Sequence, residues 1–274
     1  FGGMIISKRI KRFLRAYPPE HHWNIDEKKA TNTFFCLSEF IQTTPIDFFA
    51  NFNGFIIPVK SKYQSKWIAF RDQRRTKHAL YLKDMKHSDF KVFEQVLVGI
   101  PDNCELQISN SSIIRYAQLF SIKKTVNIFC NRGTSGIDGS TSTAIGAAFA
   151  NTNQTIFITG DLSFFYDSNA LWNTSIPLNF RIIIINNSGG GIFKIIPGPG
   201  TTNAETYFTT PHCLTAEHLS RMHGFEYQQA YSTASVAKEM VGFFEASEKP
   251  KILEIFTPSA ENDLILKTYF KQIQ

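Results

Sequence analysis

Asp161 and Asn187 stand 26 positions apart, each just after an apolar run. Gly160-Asp161-Leu162-Ser163 follows the run 155–159, and Asn186-Asn187-Ser188-Gly189-Gly190-Gly191 follows 180–185. A carboxylate, an amide oxygen and a carbonyl from a glycine loop make a hard oxygen donor set. Such a set suits Mg²⁺, which keeps its other positions for water and phosphate. The glycines let a backbone approach a phosphate with no Cβ in the way. Taken singly, each segment has an ordinary explanation. Asp161 is a plain helix N-cap, and the glycine run is a flexible turn. Together, each ending a strand one crossover apart, they read as one site. A third segment, Asn131 to Gly139, has glycines spaced G-x-x-G-x-x-G. That is neither the dinucleotide fingerprint nor a P-loop. A glycine-rich turn into a helix still offers N–H groups and a positive dipole end to an anion.

These segments need strands that end side by side. From about residue 79, strand and helix patterns alternate. Strands are expected at 105–108, 126–129, 155–159, 180–185, 227–229 and 252–256. Helices are expected at 111–120, 139–150, 163–172, 215–223, 232–246 and 259–273, and Phe90, Phe93 and Leu97 share a further helical face. Such alternation implies an α/β fold with a mostly parallel sheet and helices on both faces. The unbroken run Ile182 to Ile185 fits a strand buried on both sides. Ligands of these sheets bind at the carboxyl ends of the strands. A right-handed crossover makes 155–159 and 180–185 neighbours, about 4.8 Å apart. Residues 1–57 are less regular. A turn or strand end over 1–6 leads to a helix capped by Ser7 and stopped by Pro18-Pro19. Residues 58–78 are basic and read as an irregular linker, and 79–274 as the main domain.

With 274 residues the chain holds one large domain or two modest ones, and 43% hydrophobic against 19% charged residues excludes disorder. No run approaches the ~18 apolar residues of a membrane span. The four cysteines form no CxxC, and His212 beside Cys213 is one ligand pair only, so buried thiols in a reduced, cytoplasmic protein are expected. The chain begins at Phe1 without a signal peptide and reads as part of something longer. Residues 1–91 carry 17 Lys and Arg against 8 Asp and Glu, while 92–274 carry 12 against 15. Lys8, Arg9, Lys11, Arg12 and Arg15 are either a solvated helix face or a patch for nucleic acid, membrane or a small anion. Without interleaved aromatics or an RNP-type motif, nucleic acid is not expected as a partner. No chemistry is assigned to His21, His22, His78, His87, His218, His223, Tyr166 or Asp167.

Gly160-Asp161 followed by Asn187 resembles the diphosphate and metal motif of thiamine diphosphate enzymes, with Leu162 where most members have glycine. The strings SNSSIIR (109–115), NRGTSGIDGSTST (131–143), GDLSFFYD (160–167), INNSGGGIF (185–193) and GGMIISKRIKRFLR (2–15) are more specific. They resemble the 2-succinyl-5-enolpyruvyl-6-hydroxy-3-cyclohexene-1-carboxylate synthase family of menaquinone biosynthesis. The resemblance implies a central domain ending in 1–57 and a diphosphate domain in 79–274. It also implies a pyrimidine-binding domain, whose activating glutamate matches no residue here. Thiamine diphosphate with Mg²⁺, or Mn²⁺, is implied as cofactor. Asp161, Asn187 and the Gly189 carbonyl are implied as metal ligands, within a cofactor motif that includes Gly160, Leu162 and Ser163. Ile137 is implied as an apolar wedge under the cofactor, and Ile192, Phe193 and Ile196 as an apolar lining. Ser111, Arg115, Arg132 and Lys8 are implied as holders of acidic substrates.

The reaction implied is decarboxylation of 2-oxoglutarate and addition of the succinyl unit to isochorismate. Active sites would lie at the subunit interfaces of a homodimer or homotetramer. The arginine fork binds a carboxylate bidentately, and Ser111 and Arg115 are four apart on one helical face. Without the resemblance, Arg115 reads as a surface arginine. Two alternatives stand beside this reading. One is a thiamine diphosphate decarboxylase of the acetolactate synthase type, against which Leu162 and the two arginines count. The other is a non-catalytic anion-binding domain. The chain assayed alone is expected to be inactive.

Overall fold

A computed structural model describes residues 1–274 except Gly3, Met4, Ile6, Pro197, Pro199 and Gly200. The turn expected over 1–6 therefore lies partly outside the described residues. The chain divides into two compact units, 1–67 and 68–274.

In the first unit, the Ser7 hydroxyl accepts the Ile10 N–H and caps helix α1 (Lys8–Ala16), which buries none of its residues. The helix stops before Tyr17, whose backbone Pro18 forces out of the helical region. Strands β1 (Trp23–Ile25) and β2 (Glu39–Ile41) pair in parallel. Helix α2 (Pro45–Asn53) opens with Thr44 accepting the Asp47 N–H and with proline in its first turn. Helix α3 (Tyr63–Lys83) begins in this unit and runs on into the next. Residues 63–78 are thus helical, contrary to the irregular stretch expected. They contain no Gly or Pro and hold three Arg, two Lys and two Gln. These are strong helix formers whatever their charge.

The second unit is built on six parallel strands in the order β4-β3-β5-β6-β8-β7. They are β3 (Glu105–Ile108), β4 (Asn127–Cys130), β5 (Thr155–Gly160), β6 (Arg181–Asn186), β7 (Glu226–Ala230) and β8 (Lys251–Phe256). Helices α4 (Asp89–Gly99), α5 (Ser112–Ala117), α6 (Ser140–Ala150) and α7 (Asp161–Tyr166) precede or connect the first four strands. The rest are α8 (Ile192–Ile195), α9 (Ala204–Thr209), α10 (Glu217–Met222), α11 (Thr233–Met240) and α12 (Asn262–Gln272).

Alternation along each strand divides the apolar runs between two cores. Ile156, Ile158, Ile183, Ile185, Leu253 and Ile255 pack against Phe90 and Phe93 of α4, Val236 of α11 and Leu266 of α12. Phe157, Ile182, Ile184 and Ile252 face the other way, toward Ala144 and Ile145 of α6 and Phe164 of α7. Helices therefore cover both faces, as expected of a doubly buried parallel sheet. Several helix bounds differ from expectation. Helix α7 starts at Asp161, before the expected Ser163, and α5 ends at Ala117, short of Phe120. Helix α11 ends at Met240, and Gly242 then turns left-handed with φ +73°. All four cysteines are free, but contrary to expectation only Cys104 is buried; Cys36 and Cys130 are half-buried, and Cys213 is exposed on the loop between α9 and α10.

Arg181 opens β6 with its side chain wholly buried. Its Nε donates to the Phe243 carbonyl at 2.7 Å, Nη1 to those of Leu178 and Phe180 at 2.8 and 3.0 Å, and Nη2 to that of Glu245 at 2.5 Å. One guanidinium thus pins the segment after α11 to the sheet. Arg181→Leu leaves those carbonyls without their donor and is expected to cost about 2–3 kcal/mol. That corresponds to a fall in Tm of roughly 5–10 °C for a unit of this size, measurable by thermal unfolding.

Candidate cofactor and metal site

Strands β5 and β6 are neighbours, with Gly160 opposite Ile185. Their carboxyl ends deliver Asp161 and Asn187 to one cavity of about 420 Å³. Gly160, Leu162, Ser163, Gly189, Ser111, Arg115, Arg132, Ile137, Ile192, Phe193 and Ile196 line the same cavity. Lys8 is the exception among the expected residues. It is exposed at the start of α1, in the first unit.

Asp161 is the first residue of α7, with Gly160 in the capping position, so it is not the N-cap. It is 3% exposed. Its Oδ1 accepts the Leu162 N–H at 2.7 Å, and its Oδ2 accepts the Gly189 N–H at 2.9 Å. One carboxylate thereby joins the loops that follow β5 and β6. His212 brings Nε2 to 3.2 Å from Asp161 Oδ2, out of line for a hydrogen bond. The Leu214 N–H is donated to His212 Nδ1 at 3.1 Å, so a neutral ring carries its proton on Nε2, facing Asp161.

The Asn187 amide nitrogen donates to Asp89 Oδ2 at 2.9 Å. Asp89 is buried, and burial pushes its carboxyl up to about 6 against the hydrogen bonds from Thr257 and Asn187. Among the described residues, no three His, Cys, Asp or Glu side chains cluster as a metal site. The donors available are mixed: the Asp161 carboxylate, the Asn187 amide oxygen and the Gly189 carbonyl. That carbonyl also accepts the Gly191 N–H at 3.0 Å.

The glycine run has a structural reason beyond the expected approach of a phosphate. Gly189 has φ +148°, and a Cβ there would strike the Thr209 carbonyl oxygen. The Gly190 N–H donates to that same carbonyl at 2.6 Å, and the His212 N–H to the Ser188 carbonyl at 3.3 Å. The segment after α9 therefore lies directly on the glycine loop. Gly189→Ala is expected to displace this loop at about 1–3 kcal/mol of strain. Mg²⁺-dependent cofactor binding in the intact protein should weaken roughly tenfold or more for each ~1.4 kcal/mol, as read by calorimetric titration.

Ser111 precedes α5 with φ +71° and ψ −131°, a conformation uncommon outside glycine. Beside it, Asn110 is buried. Its Nδ2 donates to the carbonyls of Asn131 and Gly136, and its Oδ1 accepts Arg132 Nη1 at 2.8 Å. Asn110 thus ties the loop after β4 to the end of β3 and aims Arg132. The Arg132 Nε is buried with no partner. Arg115 is largely exposed, yet partial burial of its guanidinium, and then the like charge of Arg132, hold its pKa below the usual range. Two like charges lining one cavity are complementary to an anion. The Ser163 hydroxyl donates to the Ile137 carbonyl at 2.5 Å and fastens that residue to α7. Phe193 stacks on Phe208 with ring centroids 5.0 Å apart.

Sequence reasoning missed Asp89 and Asn110, and weighed His212 only as a ligand paired with Cys213. Asn110 had a local signal, since it stands in the SNSSIIR string beside Ser111.

The thiamine pyrophosphate enzyme C-terminal TPP binding domain matches residues 110–255, and the chain belongs to this family. Among its relatives, the 2-succinyl-5-enolpyruvyl-6-hydroxy-3-cyclohexene-1-carboxylate synthase of Flavobacterium johnsoniae is 54% identical over 274 residues, covering 100% of this chain and 50% of that protein. The protein of the same name from Flavobacterium psychrophilum is 51% identical, covering 99% and 50%. That from Bacteroides thetaiotaomicron is 35% identical, covering 100% and 49%. The chain thus spans about half the length of the curated relatives it matches. A solved thiamine diphosphate-dependent 4-hydroxybenzoylformate decarboxylase from Rhodococcus jostii RHA1 shares the fold, with a TM-score of 0.51 and 23% identity over 64% of this chain and 33% of that one. Among the described residues, no helix is long and apolar enough to cross a membrane.

Proposed function

We propose that the intact protein is a thiamine diphosphate-dependent synthase. It decarboxylates 2-oxoglutarate and adds the succinyl unit to isochorismate, giving 2-succinyl-5-enolpyruvyl-6-hydroxy-3-cyclohexene-1-carboxylate in menaquinone biosynthesis. The observation that carries this reading is a single cavity lined by Asp161, Asn187, Arg115 and Arg132, in a chain 54% identical to a protein named for that product. Residues 1–57 are assigned to the end of a central domain and 79–274 to the diphosphate domain, which contains the family match at 110–255.

The residues present fit the cofactor. Asp161 is buried and already oriented by two backbone N–H groups. The Asn187 amide nitrogen is engaged by Asp89, which leaves the amide oxygen for a cation. Arg132 keeps a buried donor unused. A cavity of about 420 Å³ is within the usual range for small-molecule sites. Asp161, Asn187 and the Gly189 carbonyl would hold Mg²⁺, or Mn²⁺, against the diphosphate. Bound thiamine diphosphate supplies the electron sink for decarboxylation.

The protein's own residues bind, orient and exclude water. Ile137, Ile192, Phe193 and Ile196 give the cavity apolar wall, which strengthens the electrostatic contacts made within it. Arg115, Arg132 and Ser111 bind the substrate carboxylates, and Arg132 is aimed by Asn110. Lys8 is proposed as a substrate contact on the resemblance alone. The protein is assigned to the cytoplasm as a homodimer or homotetramer with active sites at subunit interfaces.

The test is turnover by the intact protein with 2-oxoglutarate, isochorismate, thiamine diphosphate and Mg²⁺. Product that requires all four supports the reading. Preferential consumption of pyruvate overturns it in favour of an acetolactate synthase type of activity. Cofactor binding indifferent to Mg²⁺ overturns the metal assignment.

A further inference from the structure

Asp89 opens α4, yet it does not serve that helix as a cap. Ser88 is the N-cap and accepts the Lys91 N–H at 3.3 Å. The Asp89 side chain, 2% exposed, is turned instead to residues far away in sequence. Its Oδ2 accepts Asn187 Nδ2 at 2.9 Å, and its Oδ1 accepts the Thr257 hydroxyl at 2.6 Å. Its own N–H donates to Asn262 Oδ1 at 2.9 Å. Two side chains thus hold the carboxylate, one on each oxygen, and a third holds the backbone beneath it. Thr257 is itself anchored to the sheet, its N–H donating to the Asn186 carbonyl at 2.9 Å. Burying a carboxylate is costly unless its hydrogen bonds are made, and every partner here comes from the elements around Asn187.

An asparagine amide has two ends of nearly equal shape and opposite polarity, one donating and one accepting. A hard cation takes only the oxygen end. An ionised carboxylate only accepts hydrogen bonds, so it takes only the NH₂ end. We propose that Asp89 is a positioning residue that fixes the flip of the Asn187 amide, so that its oxygen is the end presented to the metal. The inference rests on the reading above, in which Asp161 and Asn187 hold Mg²⁺. Without Asp89, the amide could turn its NH₂ toward the cation and lose the ligand, although Asn187 itself is unchanged.

The test exchanges the two groups. In Asp89→Asn the fixed acceptor is lost. In Asn187→Asp two carboxylates oppose each other. In the double variant Asp89→Asn/Asn187→Asp the net charge is that of the wild type, and the new amide can donate to the new carboxylate. A carboxylate has no wrong end, so its other oxygen remains a ligand. The measurement is the Mg²⁺ concentration that half-saturates thiamine diphosphate binding to the intact protein, by calorimetry, with thermal unfolding alongside.

Asp89→Asn is expected to raise that concentration roughly 10–100-fold, Asn187→Asp to raise it also, and the double variant to bring it back toward wild type. A purely structural role would lower Tm without any recovery of the Mg²⁺ requirement in the double variant. A wild-type requirement in Asp89→Asn, or a double variant no better than Asp89→Asn, overturns the proposal. Should Asp89→Asn fail to fold, the double variant set against Asn187→Asp makes the same test, with equal requirements as the overturning result. Failure of the underlying reading shows separately, as wild-type cofactor binding with no Mg²⁺ dependence.

Discussion

Asp161→Ala is expected to abolish Mg²⁺-dependent thiamine diphosphate binding in the intact protein while the sheet stays folded. The side chain lies beyond the last residue of β5 and contributes nothing to either apolar core. Its loss removes one acidic group from the first turn of α7, worth about 0.3–1 kcal/mol to a helix. The site loses far more. The carboxylate is the one anionic metal donor proposed, and it also holds the Gly189 N–H and so the loop that carries Asn187. Changing a group that only supports a metal ligand typically costs 10–100-fold in affinity, and losing the charged ligand itself should exceed about 100-fold. Titration of the cofactor against Mg²⁺, with circular dichroism to verify the fold, measures this. Wild-type affinity in a folded variant would remove Asp161 from the site.

Arg132→Ala should act on substrates and leave cofactor binding nearly unchanged. Losing a charge-assisted contact to a desolvated carboxylate costs about 2–5 kcal/mol in kcat/KM, much of it because the substrate's charge is then left unpaired. Arg115→Ala should act in the same direction but less strongly. Arg132 is half-buried and held by Asn110, whereas Arg115 is largely exposed. Steady-state kinetics with 2-oxoglutarate and isochorismate varied separately would assign each arginine to a substrate. An unchanged kcat/KM for both substrates would remove that arginine from the assignment.

The strands at 105–108, 155–160 and 181–186 were legible from sequence to within a residue at either end. Ile182 to Ile185 is an unbroken apolar run, as a strand buried on both faces requires, whereas Glu105 to Ile108 alternates polar and apolar residues and was legible by its period of two. The crossover length between 155–159 and 180–185 was enough to make those strands neighbours, and with them Asp161 and Asn187. Helices were less legible. Residues 63–78 are basic and apolar by turns, so α3 lacked the apolar stripe that marks a helix. Helices α8 and α9 are short and lie in a stretch whose Gly, Pro and Thr read as loop.

Composition and local pattern thus determined that this is a parallel α/β chain in which Asp161 and Asn187 follow two adjacent strands, where an oxygen-donor site is proposed. Tertiary structure alone decided what holds that site. Asp89 reaches Asn187 across 98 residues, His212 lies against Asp161, and the Thr209 carbonyl occupies the space that makes Gly189 obligatory. Local sequence cannot reveal such pairings, because an aspartate in a helix's first turn looks the same whether it serves the helix or a distant amide. Only the packing of α4 against the ends of β6 and β8 brings the carboxylate within reach, and hydrogen bonding, unlike burial, leaves no periodic trace along the chain.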